Sequence, residues 1–155
     1  MPEWCLRQKE HYRIIWVGDL WERATFMRGI ENILLDVAMN PEFVQALLEH
    51  LTEYILETVR VLIERCDFEG IAISDDYGTQ KGMLMSPGHW RRLVKPCLAR
   101  IYKAAKKHGL TVFHHSCGNI IPIINDMIDI RWTFSTPYSP KQWIAIFTRK
   151  NSENV

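Results

Sequence analysis

Thr111-Val112-Phe113-His114-His115-Ser116-Cys117-Gly118-Asn119 is the stretch on which the fold turns. A short apolar run ends in polar, metal-capable side chains, and a glycine then opens what reads as a helix. In parallel α/β proteins the chemistry gathers where strands end and loops begin. His115 and Cys117 are two residues apart, so in an extended chain they share a face, with His114 on the opposite one. An imidazole and a thiolate so placed can hold a soft divalent metal or steer a polar substrate. The alternative is that His115 makes a hydrogen bond at the strand end while Cys117 packs as a small apolar residue.

Gly70-Ile71-Ala72-Ile73-Ser74-Asp75-Asp76-Tyr77-Gly78-Thr79-Gln80 repeats the layout, with a strand, two carboxylates, an aromatic and a glycine turn. A third strand is expected over residues 12–17, stopped by Gly18-Asp19. Between the strands lie helical patterns. Trp21 to Met39 reads as helix interrupted near Gly29. Asn40-Pro41 offers an N-cap and a proline at the first turn of a helix over residues 41–65, whose stripe is Phe43, Leu47, Leu48, Leu51, Ile55, Val59 and Leu62. Ser86-Pro87 opens another over 87–107, kinked at Pro96 and stopped at His108-Gly109, and a last helix is expected over 119–129. Strands alternating with helices of this length predict βαβ units and a parallel sheet.

The chain has 155 residues, 47% of them hydrophobic and 24% charged, a globular balance. A formal charge of +1 gives no electrostatic case for nucleic acid or an acidic membrane surface. No apolar run approaches the length of a membrane span. Cys5, Cys66, Cys97 and Cys117 follow no disulfide-framework spacing, which fits free thiols in a reducing cytoplasm.

Several segments occur together, in order, from about Ile14 to Ile130. They are Gly18-Asp19-Leu20-Trp21-Glu22-Arg23-Ala24-Thr25-Phe26, Leu34-Leu35-Asp36, Asn40-Pro41-Glu42, Ser74-Asp75-Asp76-Tyr77-Gly78, Leu84-Met85-Ser86-Pro87, Lys95-Pro96 and His115-Ser116-Cys117-Gly118-Asn119. In these the chain resembles the uroporphyrinogen decarboxylase superfamily, which includes cobalamin-dependent and thiol methyltransferases. The resemblance implies a (β/α)₈ barrel. A closed barrel takes roughly 250 residues, so the expectation is a partial TIM barrel of about three parallel βα units, open rather than closed.

The resemblance implies a substrate that is either a tetrapyrrole or a methyl-corrinoid with a thiol acceptor. The decarboxylase reading requires no cofactor. It relies on an arginine-rich segment and an aspartate near the N-terminus that have no counterpart in this sequence. The methyltransferase-like reading allows zinc, held by the His-x-Cys pair and a distant downstream cysteine, but no cysteine follows Cys117. The catalytic candidates are Asp75, Asp76 and Tyr77, although an aspartate there could simply cap its turn and the tyrosine could pack. The substrate-binding candidates are Asp19, Trp21, Arg23, His115 and Asn119, and the metal candidates His115 and Cys117. For Trp21, Glu22 and Arg23 the competing reading is a surface turn with a local ion pair. Asp19, Asp75, Asp76, His115 and Cys117 are expected to converge at the C-terminal ends of the strands. Unpaired sheet edges make self-association, or an inactive truncated product, further expectations.

After Ile130 the pattern collapses. Trp132 is encoded by TGG and Thr133 begins AC, so a shifted codon across them is aspartate, and Trp143-Ile144 forces a second. With permissible codons elsewhere, the shifted frame spells Val-Asp-Val-Phe-Asn-Pro-Ile-Gln-Pro-Lys-Ala-Met-Asp across Arg131 to Ile144, the strand with which the superfamily would continue. The expectation is family sequence over residues 1–130 and a frameshifted tail over 131–155.

Overall fold

The computed structural model describes residues 11–131 together with the backbone of Phe134 and Ser135. Most of the tail expected to be frameshifted, and Cys5, lie outside the described residues. In chain order the elements are β1 (Ile14–Gly18), α1 (Trp21–Arg28), α2 (Ile30–Met39), α3 (Pro41–Arg65), β2 (Gly70–Ser74), α4 (Pro87–Leu93), α5 (Lys95–Lys107), β3 (Thr111–His115), a 3₁₀ turn (Ile121–Ile123), α6 (Ile124–Asp129) and β4 (Phe134–Ser135). All strand pairs are parallel, in the order β1-β2-β3-β4. The three expected strands are present, and β4 adds a two-residue fourth. This is an open, partial β/α-barrel.

Alternation along the strands divides the sheet into two faces. Ile71, Ile73, Val112 and His114 point beneath the helices and are buried. The rung Trp16–Ala72–Phe113 points the other way, and Trp16 is 56% exposed. Against the covered face pack Leu98, Ile101, Tyr102 and Ala105 of α5, with Trp90 of α4.

The local chemistry explains most boundaries. Ser86 Oγ accepts from His89 N–H at 3.1 Å and caps α4. The break between α4 and α5 falls at Val94, two residues before Pro96, whose missing N–H and bulky ring disturb the preceding turn. Gly109, at φ +74°, ends α5 in a conformation that side chains disfavour. Two details differ from expectation. Asn40 caps α3 with its backbone carbonyl, which accepts from Phe43 N–H at 3.1 Å, and its side chain makes no cap bond. The buried line of α3 runs through Val44, Leu48, Thr52, Ile55 and Val59, leaving Phe43 exposed. Thr52 is tolerated on that line because its hydroxyl donates to Leu48 O at 2.7 Å. The expected helix over 119–129 is split into the 3₁₀ turn and α6.

Candidate metal centre

The loops after β2 and β3 are locked together by two glycines. A Cβ on Gly118, itself at φ +76°, would lie 2.2 Å from the carbonyl carbon of Gly78. Only glycine permits this approach. Two backbone bonds seal the junction, Asp75 N–H to His115 O at 2.9 Å and Asn119 N–H to Thr79 O at 2.8 Å. Buried Ser116 adds a third contact, its Oγ accepting from Tyr77 N–H at 3.3 Å.

This junction brings Asp76 against Cys117. Asp76 Oδ1 accepts from the Cys117 backbone N–H at 2.6 Å. His115 Nε2 lies 3.2 Å from Cys117 Sγ and 3.9 Å from Asp76 Oδ1. One donor atom from each of Asp76, His115 and Cys117 falls within 4.8 Å of the others. Tetrahedral zinc with ordinary bond lengths would space such N–S and N–O pairs at about 3.4–3.6 Å. The N–S pair is a few tenths of an ångström closer than that and the N–O pair about half an ångström wider, so small side-chain shifts would bring the set around a zinc-sized ion. All three residues are half-buried, which leaves room for a further ligand from outside. Burial, followed by the charge of Asp76, pushes the Cys117 thiol up.

Asp75, the neighbour of Asp76, points into the core instead and is fully buried. Its Oδ1 accepts from the backbone N–H groups of Leu20 and Glu22, both at 2.9 Å, and its Oδ2 from the Tyr77 hydroxyl at 2.9 Å. Helix α1 has no side-chain cap of its own, and Asp75 supplies one from a strand more than fifty residues away in sequence. Burial raises its pKa to about 8, against the opposing pull of those N–H and O–H donors. Tyr77 stacks on His114 with ring centroids 5.7 Å apart, and His114 Nδ1 lies 2.7 Å from the Tyr102 hydroxyl. Burial drives His114 down to about 3, so it is a neutral core histidine.

The fixed end of α1 places Glu22 over the mouth. Its Oε2 accepts from Ser74 Oγ at 3.2 Å, and Ser74 is the register partner of His115. Burial first, and then the charge of Asp76, raise the Glu22 pKa. Asp19 is also raised by burial and is paired with Arg23 at 3.5 Å.

Residues 16–136 match the family model for uroporphyrinogen decarboxylase (URO-D). The chain belongs to the URO-D family. A search of curated proteins returned no match. In this URO-D chain Asp76, His115 and Cys117 meet as the sequence suggests, with Asp19 on the adjoining loop. Three candidates do not reach a substrate-facing surface. Asp75 and Tyr77 are buried and bonded to each other, and Trp21 is 1% exposed within the core. Their apolar surroundings, and for Asp75 a backbone needing acceptors, draw them inward. Asn119 Oδ1 accepts from Ile121 N–H at 3.2 Å and so caps the 3₁₀ turn, while Arg23 is exposed beside Asp19. The sequence gives Glu22 only as part of a surface turn. Its approach to Ser74 depends on the long-range cap by Asp75, which no local pattern encodes.

Proposed function

We propose that this chain carries the mouth of a metal-dependent, thiol-directed methyltransferase of the URO-D superfamily, with one zinc held by Asp76, His115 and Cys117. The observation that supports this reading most is the mixed oxygen, nitrogen and sulfur donor set within 4.8 Å. Three protein ligands with an exchangeable fourth position are the pattern of catalytic rather than structural zinc. On this reading Asp76 takes the place of the downstream cysteine that the sequence lacks. A zinc ion held by these residues would supply Lewis acidity, lowering the pKa of an incoming thiol.

The chain's own residues do the rest. The Cys117 backbone N–H orients the Asp76 carboxylate. The glycine junction fixes the two loops on which the half-buried ligands stand. The competing reading, metal-free tetrapyrrole decarboxylation as the family's name implies, gives Cys117 only a packing role.

The test is metal content after dialysis against a weak chelator. The expected result is about one zinc per chain, and at least a tenfold weaker site in Cys117→Ser, Asp76→Asn and His115→Ala, each of which removes one of three ligands. A metal-free chain, or zinc that persists in Cys117→Ser, would return the decarboxylase reading to first place.

A further inference from the structure

The proposed zinc site also bears on which thiol is accepted, and this inference rests on that reading. Asp76 and Asp19 place like charges near Glu22, and His115 is the nearby group of opposite tendency. Among the described residues, no cation lies within ion-pair distance of Glu22. The nearby guanidinium of Arg23 is already paired with Asp19. A divalent ion on one carboxylate and one thiolate forms a neutral centre, and Asp19 with Arg23 forms a neutral pair. Glu22 is then the carboxylate left over, held at the mouth by Ser74 Oγ on the rung of His115.

We infer that Glu22 sets the substrate class of this site, by accepting a hydrogen bond from a cationic or amine-bearing group on the thiol substrate and disfavouring an anionic one. Two features make the role specific. One Glu22 oxygen, Oε2, is engaged by Ser74, so the carboxylate is oriented before substrate arrives. Its main chain is fixed independently through the bond from Glu22 N–H to Asp75, so the side chain can be changed without releasing α1.

Three thiols of equal length separate charge from size: cysteamine, 2-mercaptoethanol and 2-mercaptoethanesulfonate, with cationic, neutral and anionic tails. Zinc stoichiometry of the full chain is measured first, and the dissociation constant of each thiol is then measured by calorimetry at low ionic strength. The expected order of affinity is cysteamine, then mercaptoethanol, then the sulfonate, with about tenfold between the extremes. Glu22→Gln, which keeps an acceptor for Ser74 Oγ, should hold zinc equally well and flatten the series to within about twofold. Arg23→Gln, which unpairs Asp19, should widen it. Stoichiometric zinc with no charge preference, a preference for the sulfonate, or an unchanged series in folded Glu22→Gln would overturn this inference and leave the metal reading standing. A chain without zinc overturns both, and the first measurement shows which has failed.

Discussion

The two faces of the sheet are built from the same strands and behave as different materials. On the helix side Ile71, Ile73 and Val112 are wholly buried and His114 is reduced to a neutral core residue. On the other side Ile14 and Trp16 are 42% and 56% exposed. The residues just past the strand ends repeat the division. Asp75 turns inward to cap a helix, and Asp76, one position on, turns outward to the metal-capable cluster. Alternation makes this possible, because a single step along an extended chain exchanges core for solvent. The covered face carries the core of the chain, and the strand-end rim carries the cluster proposed as its metal site.

The largest test of that division sets one substitution on each face. Ile73→Ala should cost about 2–5 kcal/mol, the range for truncating a buried aliphatic side chain. Trp16→Ala should cost less than about 1 kcal/mol, despite removing a larger side chain, because its site is solvated. Urea unfolding of both variants measures the difference, and equal losses would erase the distinction between the faces.

Next in size is the junction that joins core and rim. Gly118→Ala sets a Cβ against the Gly78 carbonyl carbon and forces a side chain into a positive-φ position. The expected cost is about 2–3 kcal/mol. Zinc affinity should fall with it, although no proposed ligand has been touched. An unchanged metal affinity would show that the junction does not position the cluster.

A pH-dependent effect separates the neighbouring aspartates. Asp75 binds its proton more tightly when folded, at about 8, than in the unfolded chain near 3.8. Between those values the folded state holds a proton that the unfolded state releases. The Asp75 contribution is therefore fully present below pH about 4 and is lost as pH rises towards 8. His114 contributes in the opposite sense, losing stability as pH falls below 6.5 towards 3. Asp75→Asn keeps an acceptor for Leu20 and Glu22 N–H, and it should flatten only the first of these slopes. Stability curves from pH 4 to 8 for the variant and the parent isolate it, because His114 is common to both. Parallel curves would mean that Asp75 is ionised in the fold.

Much of this architecture is legible in the sequence because it is local. Asn40-Pro41 and Ser86-Pro87 mark helix starts, Gly109 marks an end, and strand-helix alternation gives the parallel sheet. The His-x-Cys pair is legible for the same reason, since period two needs only a strand. The convergence of Asp76 on His115 and Cys117 is legible from strand-end position, but the contacts between distant segments that set its geometry are not. Asp76 joins His115 and Cys117 through a glycine contact across forty residues. Asp75 leaves the site because a helix start far upstream lacks a cap. Trp21 and Tyr77 look like mouth residues from their position after strands, but their large apolar surfaces find the core first.

The central claim is that Asp76, His115 and Cys117 form one metal centre, and zinc-edge X-ray absorption of the zinc-loaded chain tests it most directly. The account predicts a single sulfur scatterer at about 2.3 Å with nitrogen and oxygen neighbours near 2.0–2.2 Å, and loss of the sulfur shell in Cys117→Ser. A shell of nitrogen and oxygen alone, or sulfur scattering that survives in Cys117→Ser, would contradict it.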